Sequence, residues 1–166
     1  AGQSFVGYSE GLPRTGWTGC RRGDYVRKHA PWVNFTDLPA RTSRPLTAFP
    51  RDLSALPNVS FVIPDLRHDM HDGSIRSADR WLRRNVKRYA DWAVDNDSLL
   101  IVTFDEDDRS QHNRIPTIAY GAAVRTGTLG RRIDHCSVLR TLESLYRLRP
   151  LGCAATTAPV RSLWRR

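Results

Sequence analysis

The sequence predicts an α/β fold with a largely parallel sheet. Two observations carry this. The runs "NVSFVIP" (58–64) and "SLLIVTF" (98–104) are β-branched and aromatic, as buried strands are. A long stretch of helical periodicity separates them, and a strand–helix–strand crossover is right-handed and joins parallel strands. In open parallel sheets, functional groups gather at the carboxyl ends of the strands. The segments "PDLRHDMHDG" (64–73) and "DEDD" (105–108) follow the two strands directly, so the sequence places them in one crevice.

The elements follow in order. "SFVGY" (4–8) reads as a short strand. Residues 9–57 are rich in Gly, Pro, Arg and Thr with little periodicity, and read as loop with one short helix near 22–28. A loop of that length inside a compact domain often carries function. In residues 75–95, Ala78, Trp81, Leu82, Tyr89, Trp92 and Ala93 recur at helical spacing, with Arg80, Arg83, Arg84, Lys87 and Arg88 on another face. Ser77 is the expected N-cap. The basic stripe reads as a solvated face rather than a nucleic-acid contact, because no aromatic residue interleaves it. "IPTIAYG" (115–121) is a third strand, and "SVLRTLESLYRL" (137–148) carries Val138, Leu139, Leu142, Leu145 and Tyr146 at helical spacing.

The length of 166 residues suits one domain, 1–166, with a real core. No apolar run approaches the roughly 20 residues of a membrane helix, so no membrane span is expected. The first residues lack the pattern of a signal peptide. The only methionine is Met70, which suggests a processed form, a trimmed chain or a fragment. The net charge of +9 favours anionic partners without choosing among phosphate esters, nucleic acid and lipid surfaces. Cys20, Cys136 and Cys153 form no CxxC pair, which argues against a zinc ribbon. An odd count leaves at least one thiol unpaired within the chain.

Several residues are suited to chemistry. Asp105 and Glu106 leave a strand read as buried, where uncompensated charge is costly. Either a bound divalent cation or a solvated acidic turn accounts for them; Asp107 and Asp108 read as surface charge. "HDMHD" supplies His68, Asp69, His71 and Asp72, and His71 is suited to bind a phosphoryl oxygen or donate a proton. "RKHAPW" (27–32) sets Arg27 and Lys28 beside His29, either as a phosphate grip or as surface charge. His135 stands just before a helix whose N-terminal N–H groups favour anions, with Ser137 as a possible N-cap. No P-loop, dinucleotide fingerprint or GxSxG elbow is present.

Taken together, "FVGYSEGLP", "GDYVRKHAPWVNF", "FVIPDLRHDMHDGSIRSADRWL", "LLIVTFDEDD", "NRIPTIAYG" and "IDHCSVLRTLESLY" resemble the bacterial phosphoesterase family of acid phosphatases and phospholipases C, in the alkaline phosphatase superfamily. The resemblance implies the C-terminal part of an alkaline-phosphatase-like α/β/α sandwich. It implies metal-dependent hydrolysis of phosphate esters through a phospho-enzyme, with Asp105 and Glu106 as ligands of a divalent metal ion. His29 and His71 are then the catalytic histidines, and Lys28, Asp69 and His135 contact substrate. Proteins of this kind begin with roughly a hundred further residues, making a domain of more usual size. These carry a Glu-Asn metal pair and the Ser or Thr nucleophile, so the chain is expected to lack the N-terminal part and to be incomplete as an enzyme. Cys20 is expected to pair with a cysteine there, which suits a secreted or cell-envelope protein. The rival readings are a phospholipase C-type phosphodiesterase, an inactive fragment that binds metal or phosphate, and a basic nucleic-acid-binding module; no specific nucleic acid is the expected partner.

Overall fold

The structure, a computed structural model, describes residues 2–165. They fall into two compact units, Gly2–Lys87 and the residues from Arg88 onward.

The first unit starts with β1 (Phe5–Ser9), followed by the two-residue strands β2 (Arg21–Arg22) and β3 (Tyr25–Val26), then β4 (Ser43–Pro45) and β5 (Val59–Ile63). β1 lies between β4 and β5, and both pairings are parallel, as the sequence predicts for the sheet. Val6 and Tyr8 of β1 are buried, and Gly7 lies against the Trp32 ring so closely that a Cβ there would stand 2.1 Å from it. Phe5, Trp32 and Phe61 meet edge to face around this contact. The short helix expected at 22–28 is instead the β2–β3 hairpin followed by a 3-10 turn, Arg27–His29. Tyr25 and Val26 are the only apolar or aromatic side chains in residues 22–28, too few to make a helical face, and Gly23 takes the positive φ of a tight turn. β4 had no sequence signal, because Ser43–Pro45 is too short and too polar to read as a strand.

The helix α1 (Ile75–Asp95) has the predicted extent, and the boundary between the units falls within it. Ser74, not Ser77, sits at its start: the Ser77 backbone N–H donates to Ser74 Oγ at 3.2 Å. Ser77 is one turn inside, where its own N–H is the orphan donor that a cap satisfies.

In the second unit β6 (Leu99–Thr103) pairs with β7 (Thr117–Gly121), and the pairing is antiparallel. β5 and β6 therefore belong to different sheets, and the crossover rule does not apply to them. The inference that residues 64–73 and 105–108 share an edge loses its ground. The cause is local. The Asp107 carboxylate accepts backbone N–H groups of Arg109, Gln111 and Asn113, at 2.7 to 2.9 Å, and turns the chain back into a hairpin. Arg109, His112 and Asn113 take positive φ to complete the turn.

The helix α2 (His135–Leu145) follows, capped by Asp134, whose side chain accepts from Ser137 N–H while Ser137 Oγ accepts from Asp134 N–H. Ser137 is thus the inner partner of a capping box, not the cap. Cys136 and Cys153 are disulfide-bonded, and Cys20 is free and exposed. No described helix is long and apolar enough to cross a membrane.

Candidate functional site

Two adjacent parallel strands each end in a carboxylate. Ser9 pairs with Ile63 at the carboxyl ends of β1 and β5, and the next backbone contact, Glu10 N–H to Ile63 O at 2.9 Å, sets Glu10 beside the segment that starts with Pro64 and Asp65. Asp65 N–H donates to Glu10 Oε2 at 3.0 Å. His68 Nδ1 stands 2.9 Å from the same oxygen and 3.2 Å from Asp65 Oδ1. Both neighbours are acceptors only, so Nδ1 carries a proton when the three groups satisfy one another. The His68 ring stacks on buried Trp81. Burial, and then the Glu10 charge, push the Asp65 carboxyl above its ordinary range.

The loop continues through Asp69, whose two oxygens serve different partners. Oδ1 accepts the His71 N–H at 2.7 Å, and Oδ2 faces His29 Nε2 at 3.4 Å. With Nε2–H directed at Asp69, the Nδ1 of His29 presents its lone pair, and that atom is buried with no hydrogen-bond partner. Met70 has φ of 76°, in the left-handed region that non-glycine residues rarely adopt. Strain of this kind clusters at functional sites, held by surrounding contacts. One such contact is the close approach of Gly73 to the Arg67 carbonyl. His71 is half-exposed, with Nδ1 2.9 Å from Asp72 Oδ1. That leaves Nε2 directed away from the carboxylate, the arrangement of an imidazole oriented for proton transfer. Lys28 is exposed on the turn that carries His29.

In the second unit Asp105 and Glu106 are both exposed, and β6 is half-buried rather than buried. The desolvation cost that pointed to a cation is therefore absent. Glu106 N–H donates to Asp105 Oδ1 at 3.1 Å. His135 Nε2 lies 3.0 Å from the Asp105 carbonyl oxygen, which requires a proton on Nε2. Its Nδ1 can then hold a phosphoryl oxygen only when the ring is charged. Asp107, read from the sequence as surface charge, is half-buried and organises the loop; burial opposes its ionisation, but the N–H groups of Gln111, Arg109 and Asn113 outweigh it and hold its carboxyl below the usual range.

The structure thus brings Asp69, His29 and the His71 backbone together, and separately joins His135 to Asp105. Among the described residues, one group of three metal-type ligands forms, Glu10, Asp65 and His68, with ligand atoms within 4.8 Å of one another. Two carboxylates and an imidazole fit a divalent ion of borderline hardness, which would take the place of the His68 proton. Asp105 and Glu106 contribute oxygens only, and among the described residues they belong to no group of three such ligands. Sequence reasoning missed Glu10 and Asp65 as site residues. The signal was present, since "FVGYSE" and "FVIPD" both run from apolar strand to carboxylate.

The model of the Phosphoesterase family matches residues 1–149. The chain belongs to that family. Among curated relatives of this phosphoesterase chain, a phosphatidylinositol-3-phosphatase of Mycobacterium tuberculosis is 51% identical over 99% of the chain and 56% of its own length. A phosphate-repressible acid phosphatase of Penicillium chrysogenum is 32% identical over 90% of the chain and 40% of its own length. An acid phosphatase of Aspergillus fumigatus is 30% identical over 87% of the chain and 37% of its own length. The chain thus spans about half the length, or less, of these relatives. No solved structure matches it significantly. The family resemblance and the α/β class read from the sequence both hold.

Proposed function

We propose that this phosphoesterase chain serves a metal-dependent hydrolase of phosphate esters, acting on phosphomonoesters and, by analogy with the relative named for phosphatidylinositol, on phosphorylated inositol lipids. The observation that carries the reading is the Asp69 carboxylate, which ties His29 to the His71 loop. Phosphoryl transfer asks a protein chiefly for positioned charge and a proton at the leaving oxygen. His71, oriented by Asp72, donates that proton. Lys28 binds the phosphoryl oxygens, and His29, held by Asp69, joins it when its ring is charged and Nδ1 also carries a proton. A hydroxyl attacks phosphorus as the alcohol leaves, and water then cleaves the phospho-enzyme. Asp105 and Glu106 are the proposed metal ligands, with His135 fixing the Asp105 backbone, and Glu10, Asp65 and His68 are a second donor set whose chemistry suits the same kind of ion. A bound divalent ion supplies charge stabilisation and a lowered nucleophile pKa. The Cys136–Cys153 disulfide supports an oxidising, secreted or envelope location.

The test is hydrolysis of p-nitrophenyl phosphate by the natural protein that carries this chain, with divalent metals added and removed. Chelation should abolish turnover and metal restore it, and His71→Ala should lower kcat by roughly 10²–10⁴-fold. Turnover indifferent to chelator and to His71→Ala would refute the proposal.

A further inference from the structure

We infer that the basic face of α1 is a docking surface for an anionic lipid bilayer. Residues 76–87 hold five cations, Arg76, Arg80, Arg83, Arg84 and Lys87, against one acid, Asp79. At 100° per residue the five cations fall within one narrow stripe, which runs about 17 Å along the helix. All five are exposed, while Trp81, about 110° round the helix from the middle of the stripe, is buried. Arg80, Arg83, Arg84 and Lys87 stand together on one open stretch of surface. Arg80, Arg83 and Arg84 make no ion pair among the described residues, so their charge is not spent on neighbouring carboxylates.

Clusters of four to eight basic residues on an amphipathic helix are the pattern that anionic membranes attract. One feature favours the bilayer over nucleic acid: the stripe contains no aromatic side chain on which a base can stack. The inference does not depend on the hydrolase reading, since it concerns binding to bilayers that contain no substrate.

The experiment is co-sedimentation of the chain with vesicles of phosphatidylcholine, alone or with about 30 mol% phosphatidylserine, near 0.15 M salt. The chain should sediment with the anionic vesicles and stay free of the neutral ones. Each basic residue near an anionic surface is worth roughly fivefold in partitioning, so Arg80→Gln/Arg83→Gln/Arg84→Gln should weaken binding roughly a hundredfold. Arg80→Lys/Arg83→Lys/Arg84→Lys, which keeps the charge, should retain it. Arg125→Gln/Arg131→Gln/Arg132→Gln removes the same charge from exposed positions elsewhere and should retain most of it. Equal losses in the two Gln triples would reduce the effect to net charge and overturn the assignment. So would equal binding to neutral vesicles, or preferential capture of the chain by duplex DNA in competition at equal phosphate.

Discussion

Asp72 Oδ1 stands 2.9 Å from His71 Nδ1. The contact fixes which ring nitrogen is free, and it predicts a graded pair of effects. Asp72→Ala should lower kcat for phosphate-ester hydrolysis by a smaller factor than the roughly 10²–10⁴ of His71→Ala, with KM little changed, because it removes only the orientation of the imidazole. Steady-state kinetics of the two variants check this. An Asp72→Ala loss seen in KM alone would place the residue in substrate binding.

The loop that carries His71 depends on Gly73. A Cβ at that position would stand 1.8 Å from the Arg67 carbonyl oxygen, and the backbone cannot yield as a flexible side chain does. Gly73→Ala should therefore cost about 1–3 kcal/mol in urea unfolding and lower turnover further by displacing the loop. Unchanged stability and turnover would show that the loop accommodates a side chain there.

Asp134 caps α2. Backbone and then side-chain hydrogen bonds from Ser137 hold its carboxyl below the ordinary range. The folded value is lower than the unfolded one, so its stabilisation is present above the unfolded pKa of about 3.9 and is lost as pH falls through the folded value. Asp134→Ala should cost about 1 kcal/mol near neutrality. The gap to the parent should narrow only at pH below about 4. Melting curves across pH check the sign, and a gap that widens in acid would contradict it.

The disulfide between Cys136 and Cys153 closes a sequence separation of 17 residues. On chain-entropy grounds its loss should cost about 3 kcal/mol. Replacing both cysteines by serine should lower the unfolding midpoint by a corresponding amount, while Cys20→Ser, at an exposed free thiol, should leave it unchanged. Equal effects would mean that Cys20 has a structural partner.

Long periodic elements were legible in the sequence: β5, α1, β6, β7 and α2 stand within a few residues of where their patterns put them. Which strands pair was not. β5 and β6 read alike as apolar runs, and their partners are chosen by contacts far along the chain and by the Asp107 turn, which sits in four acids that look interchangeable. Burial was misjudged at Asp105 for the same reason, because strand composition does not say which face is covered. On α2, Leu139 and Leu145 are exposed while Thr141 and Glu143 are buried, since hydrogen bonds from Val160 and Leu151 draw the polar side inward. Among the candidate residues, the histidines stand out in the sequence by type, whereas Glu10 and Asp65 need the β1–β5 register to be seen as neighbours.

Metal-dependent turnover that relies on Asp105 and not on its neighbour Asp108 is the most direct test. Asp108 is exposed and accepts from Ser110, a local turn contact. The measurement is p-nitrophenyl phosphate hydrolysis by the natural protein carrying this chain, with divalent-metal titration, for Asp105→Ala and Asp108→Ala beside the parent. Asp105→Ala should weaken metal activation and lower turnover sharply, and Asp108→Ala should behave as the parent does. Equal effects of the two substitutions, or full metal activation in Asp105→Ala, would contradict the assignment of Asp105 as a metal ligand.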